Sequence, residues 1–192
     1  MIDRRSLERL AGKYRVLVAL RLRREALEAT GARCFDAEEA AARRRAFRRI
    51  ARAFPGALRE LDVCSAALLQ RRLEEVERAL AGGPPAAWIP IAIDFHRSLR
   101  EALLIKGWLA RRRAGATDAD LAALARLVDR LDRLRPPAAR PHRPSTAAGW
   151  RALAERHARP REGRLLPDVW RALERRHGLA RAAMERMLFG TR

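Results

Sequence analysis

The sequence predicts an all-α protein, and three observations lead to that prediction. Alanine, leucine, arginine and glutamate dominate the 192 residues, and all four are strong helix formers. The β-branched residues that favour strands are scarce. Apolar side chains recur at spacings of three and four residues, the period at which one face of a helix repeats. We expect an N-terminal five-helix bundle, a proline-rich tether and a small C-terminal unit of three helices.

The first two helices are predicted from apolar spacing and from residues that begin or end helices. The first is expected from about Ser6 to Ala29; within it, residues 14–22 also alternate loosely as a strand would, but no partner strand is evident. The second begins at Asp36, which can serve as its N-cap, and ends before Pro55. The expected buried faces consist of Leu7, Leu10, Tyr14 and Leu17 in the first helix and Phe47, Ile50, Ala51 and Phe54 in the second.

Three further helices follow, each bounded by breakers or caps. The third ends at Gly82, where two glycines and two prolines stand together. The fourth runs from Trp88 to Trp108, tolerates Pro90 in its first turn, and is the most apolar, so we expect it at the centre of the core. The fifth begins at the cap Thr117. Leucine-rich seams mark the third and fifth helices: Leu69, Leu73, Val76 and Leu80, then Leu121, Leu124, Val128, Leu131 and Leu134.

A proline-rich segment divides the chain. Residues 135–144 contain four prolines and three arginines, and so many prolines cannot continue a helix. They are typical of a semi-stiff, extended tether. We therefore predict a helical bundle domain at 1–134, a Pro/Arg-rich linker at 135–144 and a small basic three-helix unit at 145–192.

The C-terminal unit contains an internal repeat and a possible helix-turn-helix. Trp150-Arg151-Ala152-Leu153 recurs twenty residues later as Trp170-Arg171-Ala172-Leu173, and each copy is expected to anchor a small core. Residues 173–188, with Gly178 in the turn, resemble a helix-turn-helix, although Glu174 and His177 depart from its usual pattern. The resemblance implies that the last helix could enter a DNA groove, with Arg181, Glu185 and Arg186 near the bases.

Net charge is the property that bears most on function. The chain has 42 basic and 23 acidic residues, a formal charge of +19, and all the basic residues except Lys13 and Lys106 are arginine. Codon usage in a GC-rich, bacterial-like genome explains arginine in place of lysine but not the excess of positive charge. Residues 115–138 are neutral overall, whereas 1–62 have a net charge of +7 and 139–192 of +8. So strong a positive field attracts polyanions.

The charge pattern predicts a binding protein, and two kinds of partner remain open. The first is nucleic acid, DNA rather than RNA, held by arginines on two surfaces. The second is an acidic protein, with this chain as a helical adaptor or assembly subunit whose leucine seams could also form a homo-oligomer. The candidate nucleic-acid-binding residues are Arg44, Arg45, Arg48, Arg49 and Arg52 on the second helix and Arg171, Arg175, Arg176, Arg181 and Arg186 in the C-terminal unit.

Other functional classes find little support in the sequence. No metal-ligand spacing, phosphate-binding loop or nucleophile motif is present, so we predict no enzyme, no metal and no cofactor. The N-terminus lacks a signal-peptide core and no apolar run is long enough to span a membrane, which predicts a cytoplasmic protein with Cys34 and Cys64 reduced. Asp94, in the most apolar helix, is expected to form a buried ion pair, with Arg97 as the nearest candidate.

Overall fold

A computed structural model describes residues 2–31, 37–112, 115–133, 143–158 and 165–190 of the chain. The described residues are overwhelmingly helical and include no strand, which confirms the all-α prediction. Residues 14–22 are helical, so their loose alternation does not indicate a strand. The described helices are α1 (Arg4–Thr30), α2 (Ala37–Ala53), α3 (Ala57–Val63), α4 (Ala66–Leu80), α5 (Trp88–Arg111), α6 (Asp118–Asp132), α7 (Ala147–Ala158), α8 (Leu165–His177) and α9 (Arg181–Phe189).

The helix boundaries agree with the prediction in some places and depart from it in others. Thr117 caps α6 as expected, and it forms a capping box with Asp120. The third predicted helical stretch contains two helices, α3 and α4, because the chain leaves the helix at Cys64 and Ser65 then caps α4. The five-plus-three arrangement of helices is therefore not confirmed. Asp36, Leu134 and all of the tether except its last two residues lie outside the described ranges.

Contacts group the chain into two compact units. Unit 1 consists of residues 1–96 and 170–192, and unit 2 of residues 97–169. In unit 1, α1 packs along α4, and the first part of α5 is buried almost completely. Phe95 on α5 lies against Trp170 and Phe189, with ring centroids 5.4 and 5.8 Å apart. The prediction that this part of α5 belongs to a core is confirmed.

Unit 2 has a smaller core of its own. Ile105, Leu124, Val128 and Ala154 are buried together, and Trp150 packs against them. Arg143, in the short segment before α7, donates to Asp132 at 2.6 Å and to Glu101 at 3.0 Å. The two copies of the Trp-Arg-Ala-Leu segment thus place their tryptophans in two different cores, Trp150 in unit 2 and Trp170 in unit 1.

The leucine seams are used inside these units. Leu69, Leu73 and Val76 are buried in unit 1, and Leu121, Leu124 and Val128 are buried in unit 2. Leu80 and Leu131 are half-buried, and Leu134 lies outside the described residues. None of the helices over the described ranges combines the length and the apolarity that crossing a membrane requires.

Candidate nucleic-acid interface

The predicted arginine face of α2 is present and exposed. At 100° per residue, Arg44, Arg45, Arg48, Arg49 and Arg52 occupy an arc of about 140° and extend for about 12 Å along the helix. All five side chains are exposed. The opposite face carries Ile50, which is 5% exposed, and the half-buried Phe47. Because the apolar side of α2 is buried, the arginines on the opposite side of the helix face the solvent.

No described carboxylate forms an ion pair with the five arginines of this face. The local sequence explains the lack of partners, because residues 40–59 contain seven arginines and neither aspartate nor glutamate. Arg43 lies outside the arc and stacks over Phe47, 5.5 Å from the ring centroid. Guanidinium groups without a carboxylate partner keep their full charge for an external anion. We call these five residues the α2 arginine face.

The α2 arginine face is held in place by the segment that follows it. Phe54 and Pro55 end the helix, and Gly56 adopts φ +88°, a left-handed conformation that glycine accommodates without strain. The Phe54 ring meets the His96 ring edge to face at 5.7 Å, and Pro55 is buried. The end of α2 is thus attached to α5 through His96.

The C-terminal arginines have a different environment. Arg176 forms an ion pair with Asp94 at 3.0 Å, and Arg181 pairs with Glu185 at 3.2 Å and lies over the Trp170 ring. Arg171 is exposed but also has an interaction partner. Arg175 and Arg186 are exposed, and no described residue forms an ion pair with either. The ten predicted arginines therefore fall into two groups. The α2 face has no ion pair with a described carboxylate, whereas the C-terminal group is partly neutralised.

The segment that resembles a helix-turn-helix forms two helices packed into unit 1. Gly178 lies in the turn between α8 and α9 with φ +63°. Leu173, Met184 and Leu188 are buried, as are Trp170 and Phe189. The Cys64 thiol, buried and free, donates to the Phe189 carbonyl at 2.8 Å, and Arg72 donates to the Met187 carbonyl. Burial raises the pKa of Cys64 to about 11, so this thiol stays protonated.

Asp94 fixes the end of α8. Its carboxylate accepts a hydrogen bond from His177 Nε2 at 2.9 Å and forms an ion pair with Arg176 at 3.0 Å. The sequence points to Arg97, three positions after Asp94, because spacing along the chain reveals only neighbours on the same helix. The two partners that the structure shows, Arg176 and His177, lie more than eighty positions from Asp94 along the chain.

A buried polar cluster, which the sequence analysis missed, lies in unit 1. Lys13 on α1 is 0% exposed, Glu60 on α3 is 1% exposed and His96 on α5 is 6% exposed. The Lys13 ammonium donates to Glu60 and lies 2.8 Å from His96 Nε2 and 3.5 Å from the Tyr14 hydroxyl. Tyr14 in turn donates to the second Glu60 oxygen at 2.9 Å. We call Lys13, Tyr14, Glu60 and His96 the buried polar cluster.

Hydrogen-bonding requirements fix the tautomer of His96. Its Nδ1 lies 2.9 Å from the Pro55 carbonyl, which can only accept, so Nδ1 carries the proton. Nε2 is then the acceptor for the Lys13 ammonium. Three ammonium hydrogens thus face three acceptors, on Glu60, His96 and Tyr14. Every polar side-chain group of the cluster has a partner.

The charges of the cluster depend on one another. Burial raises the pKa of the Glu60 carboxyl, but Lys13 and His96 together outweigh burial and lower it to about 2. Burial lowers the pKa of Lys13 despite the attraction of Glu60, and it raises that of Tyr14 well above its usual range. Burial, together with the nearby Lys13 charge, lowers the pKa of His96. Because its groups are buried and hydrogen-bonded to one another, the cluster links α1, α3 and α5.

Lys13 was the signal that could have revealed this cluster. It is one of two lysines in the chain, and it lies among Leu10, Tyr14 and Leu17 on the apolar face of α1.

Among the described residues, no group of three His, Cys, Asp or Glu side chains is arranged to hold a metal ion. Comparison of the chain with models of protein families, with curated proteins and with solved structures finds no match.

Proposed function

We propose that this protein binds nucleic acid, DNA in preference to RNA, and that the α2 arginine face makes the main contacts with phosphate groups. The observation that carries the proposal is the row of five exposed arginines without a described carboxylate partner. A guanidinium already paired with a carboxylate must give up that pair before it can bind phosphate. Those of the α2 arginine face have no such pair with a described carboxylate.

The chemistry of the α2 face favours contacts with the backbone over base reading. Its polar side chains are all arginines, without asparagine, glutamine, serine or threonine. Each phosphate neutralised releases counterions and contributes about −0.9 to the slope of log K against log salt concentration. Five contacts would give a slope of about −4.5, and hence a loss of affinity on the order of 500-fold between 50 and 200 mM salt.

The C-terminal arginines supply a second, smaller set of contacts in this proposal. Arg175 and Arg186 are exposed and lack a described ion-pair partner, so they can approach phosphate groups directly. Arg181 is held over Trp170 and paired with Glu185. These contacts fix its position, but the Glu185 carboxylate offsets its positive charge. We propose that the protein acts in the cytoplasm as a binding protein without a catalytic centre.

Two variants with equal charge test the assignment to α2. R44Q/R48Q/R52Q removes three arginines from one row of the α2 face. R4Q/R15Q/R71Q removes three exposed arginines elsewhere, each paired with a glutamate, so both variants reduce the formal charge from +19 to +16. In fluorescence anisotropy with a labelled DNA duplex, we expect the first variant to bind at least tenfold more weakly than the second. Equal losses would show that only the overall charge matters.

An acidic protein partner is the alternative, and the same preparation can reveal it. Purified at low salt, a nucleic-acid-binding protein carries nucleic acid, seen as a raised 260/280 nm absorbance ratio, and releases it at high salt. An acidic partner would instead co-purify as a second polypeptide, and DNA would not be retarded in a gel.

A further inference from the structure

We propose that His96 is a proton-sensitive latch that holds the end of α2, and that protonation of its ring releases the Phe54–Pro55 segment and loosens α2. The inference does not depend on nucleic-acid binding. It follows from the position of His96 between the Lys13 ammonium on one side and the end of α2 on the other.

The geometry disfavours a second proton on His96. Nδ1 already donates to the Pro55 carbonyl at 2.9 Å, and the lone pair of Nε2 accepts from Lys13 at 2.8 Å. Glu60 Oε1 lies 3.3 Å from Nε2, but this oxygen already accepts from Lys13. A proton on Nε2 would place two cations in contact, and desolvated like charges at this separation repel strongly, so the ring stays neutral while the arrangement is intact.

The groups that face His96 come from several helices. Lys13 and Tyr14 belong to α1, Glu60 to α3, and Arg72 on α4 acts on the cluster through Lys13 and Tyr14. Of these groups, Lys13 opposes a charged imidazole and Glu60 favours one. The low pKa of His96 agrees with this, since burial and Lys13 both favour the neutral ring.

The end of α2 is the contact that can yield. Phe54 and Pro55 meet His96 through one ring contact and one hydrogen bond, and Phe54 is only half-buried. Lys13, Tyr14 and Glu60 are instead nearly or fully buried on helices that pack together in unit 1. For Nε2 to take up a proton, the His96 ring has to move away from Lys13. The same movement takes Nδ1 away from the Pro55 carbonyl, so the end of α2 loses its hydrogen bond to α5.

Acid would then open α2 by a predictable factor. A free histidine titrates near 6.5, so below that pH the opened form binds one proton that the closed form does not. The equilibrium constant for opening should rise by up to tenfold for each pH unit below about 6.5. Above that pH, α2 should stay closed and independent of pH.

Hydrogen exchange measured by mass spectrometry tests the latch. Protection of residues 44–56 is compared between pH 7.5 and 5.5, after correction for the intrinsic pH dependence of exchange, with residues 66–80 of α4 as the internal reference. We expect the protection of 44–56 to fall about tenfold while that of 66–80 changes little. Unchanged protection of 44–56, or an equal loss in both segments, would overturn the proposal.

Two variants assign the response to His96. H96Q can still accept from Lys13 but does not titrate in this range, so the pH dependence of residues 44–56 should disappear. H142Q/H157Q/H177Q leaves His96 as the only histidine and should keep the full response. The reverse pattern would rule out His96. If H96Q does not fold, K13M/E60Q provides the same test, because the cation facing Nε2 is removed and the response should shrink.

Discussion

Lys13 shows how much can depend on one residue in this protein. Its ammonium is removed from water, yet it contacts Glu60, Tyr14 and His96, and through them joins α1 to α3 and α5. An ion pair buried in this way costs much desolvation, so it contributes more to a unique arrangement of helices than to net stability. The contact between the four residues could not be predicted from the sequence, because they lie up to 83 positions apart along the chain.

Single and double substitutions in the Lys13–Glu60 pair should differ sharply. K13M or E60Q alone leaves an uncompensated or poorly solvated group in the core, and each should lower the free energy of unfolding by about 3–5 kcal/mol. K13M/E60Q removes both charges and should cost much less than the sum of the two. Urea unfolding of the four proteins measures this difference. Additive losses would show that the pair does not act as a unit.

The buried polar cluster also sets how stability responds to acid. The folded-state pKa of His96 is below 6.5, so the unfolded chain binds a proton that the folded chain excludes, and stability falls as pH drops below about 6.5. Glu60 has a folded-state pKa of about 2 against 4.5, so its contribution is complete above pH 4.5 and is lost as pH falls towards 2. Urea unfolding from pH 7.5 to 3 should show both declines, and E60Q should lack the second.

At the scale of helices, local signals in the sequence predicted the structure well where they were strong. The cap at Thr117, the breakers at Gly82 and Pro55, and the apolar period of α1 all mark boundaries or faces that the structure contains. The break between α3 and α4 was missed, because Cys64 and Ser65 interrupt a continuous apolar pattern without a proline or glycine. The α2 arginine face was predicted correctly as a face, since arginines and apolar side chains separate at the helical period.

The capping box of α6 gives a prediction for a single helix. The Thr117 hydroxyl accepts from the Asp120 amide at 3.2 Å, and Asp120 accepts from the Thr117 amide at 3.1 Å. T117A should lower the free energy of unfolding by about 1 kcal/mol. T30A is the matched control: Thr30 lies at the C-terminal end of α1, where its hydroxyl bonds back to the Ala26 carbonyl and caps no amide. Equal effects in urea unfolding would contradict the role of the cap.

At the scale of the whole molecule, positive charge is distributed over both units. Unit 1 has 25 basic and 15 acidic residues, and unit 2 has 17 and 8, so the two carry net charges of +10 and +9. Residues 170–192 belong with 1–96 through contacts such as His177 with Asp94, which no pattern along the chain indicates. The predicted linker at 135–144 lies almost wholly outside the described residues, and the division of the chain at that segment stays a prediction.

The salt dependence of DNA binding tests the central claim most directly, because it counts the phosphate contacts. The measurement is the slope of log K against log KCl concentration for a DNA duplex, compared between the unaltered protein, R44Q/R48Q/R52Q and R4Q/R15Q/R71Q. We predict that R44Q/R48Q/R52Q lowers the magnitude of the slope by about 2.7, since three contacts at about 0.9 each are lost, and that the control variant changes it little. Binding that barely changes with salt, or equal slopes for the two variants, would contradict the account.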